Sequence, residues 1–180
     1  MLKNIGNLKR HKAAYLDNIS SEHLIYYVPQ LTVHMTLLFN SMIHHCFVPT
    51  DFCNRVILPL LKNKHGDISD VNMYRCITLS PIISKLFESV LLCLYDEYLT
   101  SHSLQFGFNK NSSCIHALFT VNESVRYFMK RGSNVYCTFL DTTKASEKVL
   151  HNGIFKKLLD REAPVTFVRL LQYWYGNLQC

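Results

Sequence analysis

Glycine and proline are scarce, at 6 and 5 of 180 residues, which excludes collagen-like and low-complexity chains. No run of about 18 apolar residues occurs, so no helix here is expected to span a membrane. The opening stretch MLKNIGNLKRHKAAYLDN lacks an apolar segment followed by a small-residue cleavage site, so it does not read as a secretory signal. Charged residues make up 18% and hydrophobic ones 48%, which rules out a disordered tail. The common short motifs are missing too. There is no G-x-G-x-x-G, no phosphate loop ending in G-K-[ST], no H-E-x-x-H and no G-x-S-x-G.

What is present suits a single domain or a large piece of one. A chain of this length buries roughly 70% of its unfolded surface, enough for a true core. The seven cysteines are odd in number and form no C-x-x-C pair. Without a signal they read as reduced, mostly buried thiols in an intracellular protein. His44, His45, Cys46 and Cys53 cluster, but their spacing matches no common zinc site. The N-x-S matches at Asn18, Asn111 and Asn122 carry no meaning for a chain that is not secreted. The net charge of +6 fits a polyanion partner. Lys3, Lys9, Arg10 and Lys12 supply part of it, and an ordinary solvated terminus explains them equally well.

Residues 21–46 carry helical periodicity, with Leu24, Tyr27, Leu31, His34 and Leu38 near one face, and Pro29 either starts a second helix or kinks the first. Arg55–Lys62 reads as a strand, with Pro59 pointing to an edge or a bulge. Lys62–Arg75 reads as a loop or hairpin. Ser80 and Pro81 suit a helix start, and the stripe Ile82, Ile83, Leu86, Phe87, Val90, Leu91, Leu94 and Tyr95 predicts a core helix to about Leu99. A second helix is expected over Ser113–Lys130, with Cys114, Ala117, Leu118, Val121, Val125 and Phe128 inward. After a turn at Gly132-Ser133-Asn134, residues 135–140 read as a buried strand ending at Asp141. Two more helices fit Asn152–Arg161 and Pro164–Asn177. The pattern is α+β and mostly helical.

Asp141 is the informative position. A carboxylate just past a buried strand can reach a cleft and hold a cation. It can also cap a helix beginning near Lys144-Ala145, and spacing alone favours the cap.

Four blocks, in order, resemble the reverse transcriptase domain of LINE-type, non-LTR retrotransposons. KAAYLDNISSEHL is similar to the family's opening K-A-x-G-x-D-G-I block. ILPLLKNKHGDISDVNMYRCITLSPIISKLFE resembles the fingers block, with its P-x-x-K, N-x-Y-R-P-I-S-L and I-x-K-x-x-E pieces. LQFGFNKNSSCIHAL resembles the Q-F-G-F-R/K block, and CTFLDTTKASEKVLHNGIFKKL the first palm motif. The resemblance runs from about residue 11 to the end.

The resemblance implies an RNA-directed DNA polymerase with the right-hand architecture: a basic segment over 1–20, fingers over 21–131 and the start of the palm over 132–180. It implies an RNA template, a DNA primer, a deoxynucleoside triphosphate and magnesium, which stabilises the attacking and leaving oxygens of phosphoryl transfer. By this match Asp141 is the first metal aspartate. Lys62 and Arg75 lie near the triphosphate, where a planar guanidinium fork suits phosphate oxygens. Gln105, Phe106, Gly107, Phe108 and Lys110 lie along the template–primer. Spacing alone reads Lys62 and Arg75 as solvated loop cations, and residues 105–108 as an apolar loop under a helix. The family acts in the nucleus, although no targeting run is visible here.

Departures from the family's pattern also matter. Ser146 stands where the family has the aromatic residue that excludes a 2′-hydroxyl, so sugar discrimination should fall. Glu147 replaces an aspartate, Cys76 a proline, and Asn109 a basic residue. Tyr15 and Asn18 replace glycines, where a positive φ can be needed. These residues include neither the family's Q-G primer grip nor its aromatic-Ala-Asp-Asp turn. The chain alone is therefore expected not to polymerise, and a palm strand with open edges is expected to favour self-association. A non-catalytic nucleic-acid-binding or protein-interaction remnant is the alternative.

Overall fold

The computed structural model describes residues 1–12, 14–63, 67–109, 111–141 and 149–178. The chain divides into two compact units, residues 1–98 with 151–180, and residues 99–150. Helix and strand are mixed, with helix predominant.

The first unit opens with a short helix α1 (Leu2–Gly6), whose Ile5 is buried. Helix α2 (Ser21–Tyr26) follows, and Ser20 and His23 form a reciprocal cap at its start. Pro29 lies in the first turn of α3 (Val28–His45), where its missing N–H costs nothing. The expected inward face is corrected here. Met35, Phe39 and Met42 are buried, while Tyr27 and Leu38 are exposed. The restart at Pro29 resets the helical phase, so a face drawn as though α2 and α3 were continuous misses the core. Leu24 on α2 is buried as expected, whereas Tyr27, Leu31 and His34 line an open groove of about 550 Å³.

After the single turn α4 (Thr50–Cys53) comes an antiparallel hairpin of β1 (Val56–Leu61) and β2 (Tyr74–Leu79). The local pattern predicts β1 and leaves the next segment as a loop or hairpin, without β2. YRCITL runs straight into the next helix start, so its β-branched pattern is not set off by a turn of its own. That helix, α5 (Ile82–Leu94), has Pro81 rather than Ser80 at its N-cap. It stops short of Leu99, and Asp96–Leu99 forms a separate 3₁₀ turn. Helices α7 (His151–Asp160) and α8 (Val165–Gly176) match expectation, with Pro164 capping α8.

An aromatic cluster forms the core of this unit. Phe87 of α5 meets Phe39 of α3 at 4.8 Å, Trp174 of α8 at 5.4 Å and Phe52 of α4 at 6.3 Å between ring centroids. Tyr95 stacks on Phe167 at 3.9 Å. Such contacts add to area burial through the ring quadrupoles.

The second unit contains α6 (Cys114–Met129), which Gly132 closes at φ 76°. No residue of α6 is buried, and Leu118, Val121 and Phe128 are exposed. This corrects the expected inward stripe: an amphipathic face is buried only where a second layer covers it, and none is described within this unit. Residues 135–140 are likewise not a strand. Tyr136, Phe139 and Leu140 stand 91%, 82% and 94% exposed. An extended segment becomes a strand only when a neighbour completes its hydrogen bonds, and among the described residues the sheet holds only β1 and β2. The thiols also depart from expectation. Cys53 is buried and Cys46 half-buried, but Cys76, Cys93, Cys114 and Cys137 are exposed.

Candidate nucleic-acid interface

The hairpin brings two of the sequence-identified cations together. Leu60 pairs with Arg75 and Leu61 with Tyr74. The Lys62 N–H donates to the Met73 carbonyl at 2.7 Å, extending the ladder by one residue. Side chains alternate along a strand, so Lys62, two residues past Leu60, shares a face with Arg75. The two occupy diagonal positions, within reach of one polyanionic group. Both are exposed.

The same parity explains Pro59. Hydrogen-bonded pairs recur at every second position of an antiparallel ladder. With Lys62 opposite Met73 as such a pair, Pro59 opposite Cys76 falls at a non-bonded pair, so its missing N–H would point away from β2. Asp67 fixes the connecting segment by accepting from the Ser69 N–H at 2.9 Å and from the Ser69 hydroxyl. These bonds lower its pKa. The Tyr74 hydroxyl donates to the Ile68 carbonyl at 2.9 Å.

A contact that the sequence does not reveal anchors the hairpin's foot. Arg55 Nη2 donates to Glu88 Oε1 at 3.5 Å, tying the start of β1 to α5. Glu88 closes the I-x-K-x-x-E block, but nothing in the local pattern names Arg55 as its partner. Burial raises the Glu88 pKa, opposed by the charges of Arg55 and Lys85.

In the second unit, Gln105, Phe106, Gly107 and Phe108 form a cinched loop. The Gln105 side-chain amide donates to the Gly107 carbonyl at 3.0 Å, and the Asn109 amide donates to the Gln105 carbonyl at 2.8 Å. The Asn109 side chain thus closes the loop. Phe108 takes φ 60° and its ring is fully exposed, an arrangement that suits stacking on a base. Asp141 is exposed. Lys110, Lys144, Ala145, Ser146 and Glu147 lie outside the described residues, and with them the sugar-gate position and the capping alternative for Asp141. Among the described residues no three His, Cys, Asp or Glu side chains are grouped to hold a metal ion. None of the described helices is long and apolar enough to cross a membrane.

Comparison of the sequence with known proteins finds relatives of one kind. The chain is 25% identical over 180 residues to the RNA-directed DNA polymerase from mobile element jockey of Drosophila funebris, covering 96% of this chain and 19% of that protein. It is 22% identical over 158 residues to the probable RNA-directed DNA polymerase from transposon BS of Drosophila melanogaster, covering 86% and 17%. It is 26% identical over 154 residues to the probable RNA-directed DNA polymerase from transposon X-element of the same species, covering 82% and 17%. No protein-family model matches the chain. The resemblance drawn from the four sequence blocks is therefore borne out: the relatives are RNA-directed DNA polymerases of mobile elements. The chain spans about a fifth of the length of these relatives.

Proposed function

We propose that these residues are the fingers and the start of the palm of an RNA-directed DNA polymerase, and that they bind a nucleic-acid template and primer through phosphate contacts. The observation that carries the reading is the placement of Lys62 and Arg75 on one face of the hairpin. An ammonium and a guanidinium so placed hold phosphate oxygens, Arg through its fork and Lys as a point charge. The incoming deoxynucleoside triphosphate presents such a group. Gln105, Phe106, Gly107, Phe108 and Lys110 would lie along the template–primer, with Phe108 available for stacking.

Magnesium is usually held by one or two carboxylates together with substrate phosphates. Asp141 supplies one carboxylate, and no described group completes the set. The described residues do not make a metal site, and the 180-residue chain by itself is expected not to extend a primer. It acts as the phosphate-gripping part of the enzyme, and the nucleus is where the complete polymerase would work. Self-association belongs to the same proposal, because Tyr136, Phe139 and Leu140 are left exposed where a palm strand is expected to pair.

Incubating the purified chain with an RNA template, a DNA primer, magnesium and deoxynucleotides tests this reading. The expected result is bound template–primer without extension. Magnesium-dependent extension abolished by Asp141→Ala would overturn the inactivity and uphold the metal role. Absence of any binding would overturn the polymerase-segment reading itself.

A further inference from the structure

A cavity of about 560 Å³ opens between α1, the segments over 7–12 and 15–21, the end of β2 and the first turns of α5. Three cations, Lys9, Lys12 and Lys85, stand on its wall, and Asn4, Asn7 and Ser89 add polar groups. No Asp or Glu is among its described lining residues. The nearest acidic neighbours in sequence are Asp17, Glu22 and Glu88. Asp17 accepts the Ile19 N–H at 2.9 Å. Glu22 accepts the His11 N–H at 2.6 Å. Glu88 faces Arg55, and Lys85 is the weaker of the two cations acting on it.

The wall is built into the fold. Buried Ile5 packs the helix α1, which lies against α5. The hydroxyl of Ser21, itself 2% exposed, donates to the Lys9 carbonyl at 2.6 Å and fixes the backbone that carries Lys9. Three ammonium groups on one concave wall, with no carboxylate among its described lining residues, concentrate positive potential. The volume falls in the range that takes a small organic ligand, and the apolar lining from Tyr15 and Leu79 suits a sugar or base.

We propose that this cavity binds the phosphates of a single RNA strand, as an anchor separate from the hairpin face. The choice of RNA rests on the polymerase reading above; the preference for phosphate rests on the lysines. The test is fluorescence anisotropy of the full chain with a labelled single-stranded RNA over a range of KCl concentrations. The triple substitution Lys9→Gln/Lys12→Gln/Lys85→Gln should weaken binding at least tenfold. It should also flatten the slope of log K against log salt by about two, at about 0.7 for each phosphate no longer neutralised. The triple Lys→Arg variant should keep the slope, which separates loss of charge from loss of fold, and circular dichroism checks the helices of both. If the Gln triple variant binds as wild type does while Lys62→Gln/Arg75→Gln loses affinity, the cavity proposal falls and the polymerase reading stands. If the wild-type chain binds no RNA, both fall. Saturable, lysine-dependent binding of inorganic phosphate without RNA binding would assign the cavity to a small phosphate and overturn the strand.

Discussion

Arg55 and Glu88 meet at 3.5 Å across the junction of the hairpin and α5, and burial raises the pKa of the Glu88 carboxyl despite that partner. Glu22 behaves in the opposite way. Its carboxylate accepts the His11 N–H, with further bonds from its own N–H and Ser20, and its pKa falls to about 2. The two groups therefore bend the stability–pH curve in opposite directions. Glu22 has a lowered folded-state pKa, so its contribution is present above the ordinary carboxylate range and is lost as pH falls towards 2. Glu88 has a raised one, so its contribution is present below that range and is lost as pH rises through the raised value. Urea midpoints from about pH 2 to 7 should show Glu22→Gln reducing the acid loss of stability. Glu88→Gln should remove a component that declines with rising pH.

Asn18 stands at φ 58°, in the left-handed region, at a position where the resembling family has glycine. Asparagine tolerates that region better than residues with larger or branched side chains. Asn18→Gly should leave stability within about 0.5 kcal/mol of wild type, and Asn18→Ala should cost about 1 kcal/mol. Equilibrium urea unfolding checks both values.

Phe87 is fully buried at the centre of the aromatic cluster. Phe87→Ala leaves a cavity facing Phe39, Phe52 and Trp174, with an expected cost of about 3–5 kcal/mol. Against a marginal total of about 5–15 kcal/mol, the thermal unfolding midpoint should drop sharply or the transition should disappear.

The thiols should react in two classes. Cys76, Cys93, Cys114 and Cys137 are exposed and should be modified rapidly by a thiol reagent under native conditions. Cys53 is buried, and burial raises its thiol pKa, so it should react only on unfolding. Mass spectrometry of pulse-labelled protein reads out the difference.

Where one segment's own residues decide its structure, the sequence is legible. Pro29 and Pro164 mark helix starts, Gly132 a stop, and Pro59 an edge position whose missing N–H the ladder parity explains. Long-range partners are not legible. The approach of Phe87 to Trp174 and of Arg55 to Glu88 depends on segments far apart in sequence. The strand expected at 135–140 fails because its apolar pattern speaks of a partner that the described residues do not provide. At the candidate site, the motif match names Lys62 and Arg75, but only the hairpin register shows that they share a face.

The most direct test of the central claim is the salt dependence of the chain's affinity for an RNA–DNA hybrid, measured for the wild type and for Lys62→Gln/Arg75→Gln. The account predicts affinity that falls steeply with salt, and a double variant that binds more weakly across all sequences with a slope smaller by about two. A wild-type chain that does not bind the hybrid, or a double variant with unchanged affinity and slope, would contradict it.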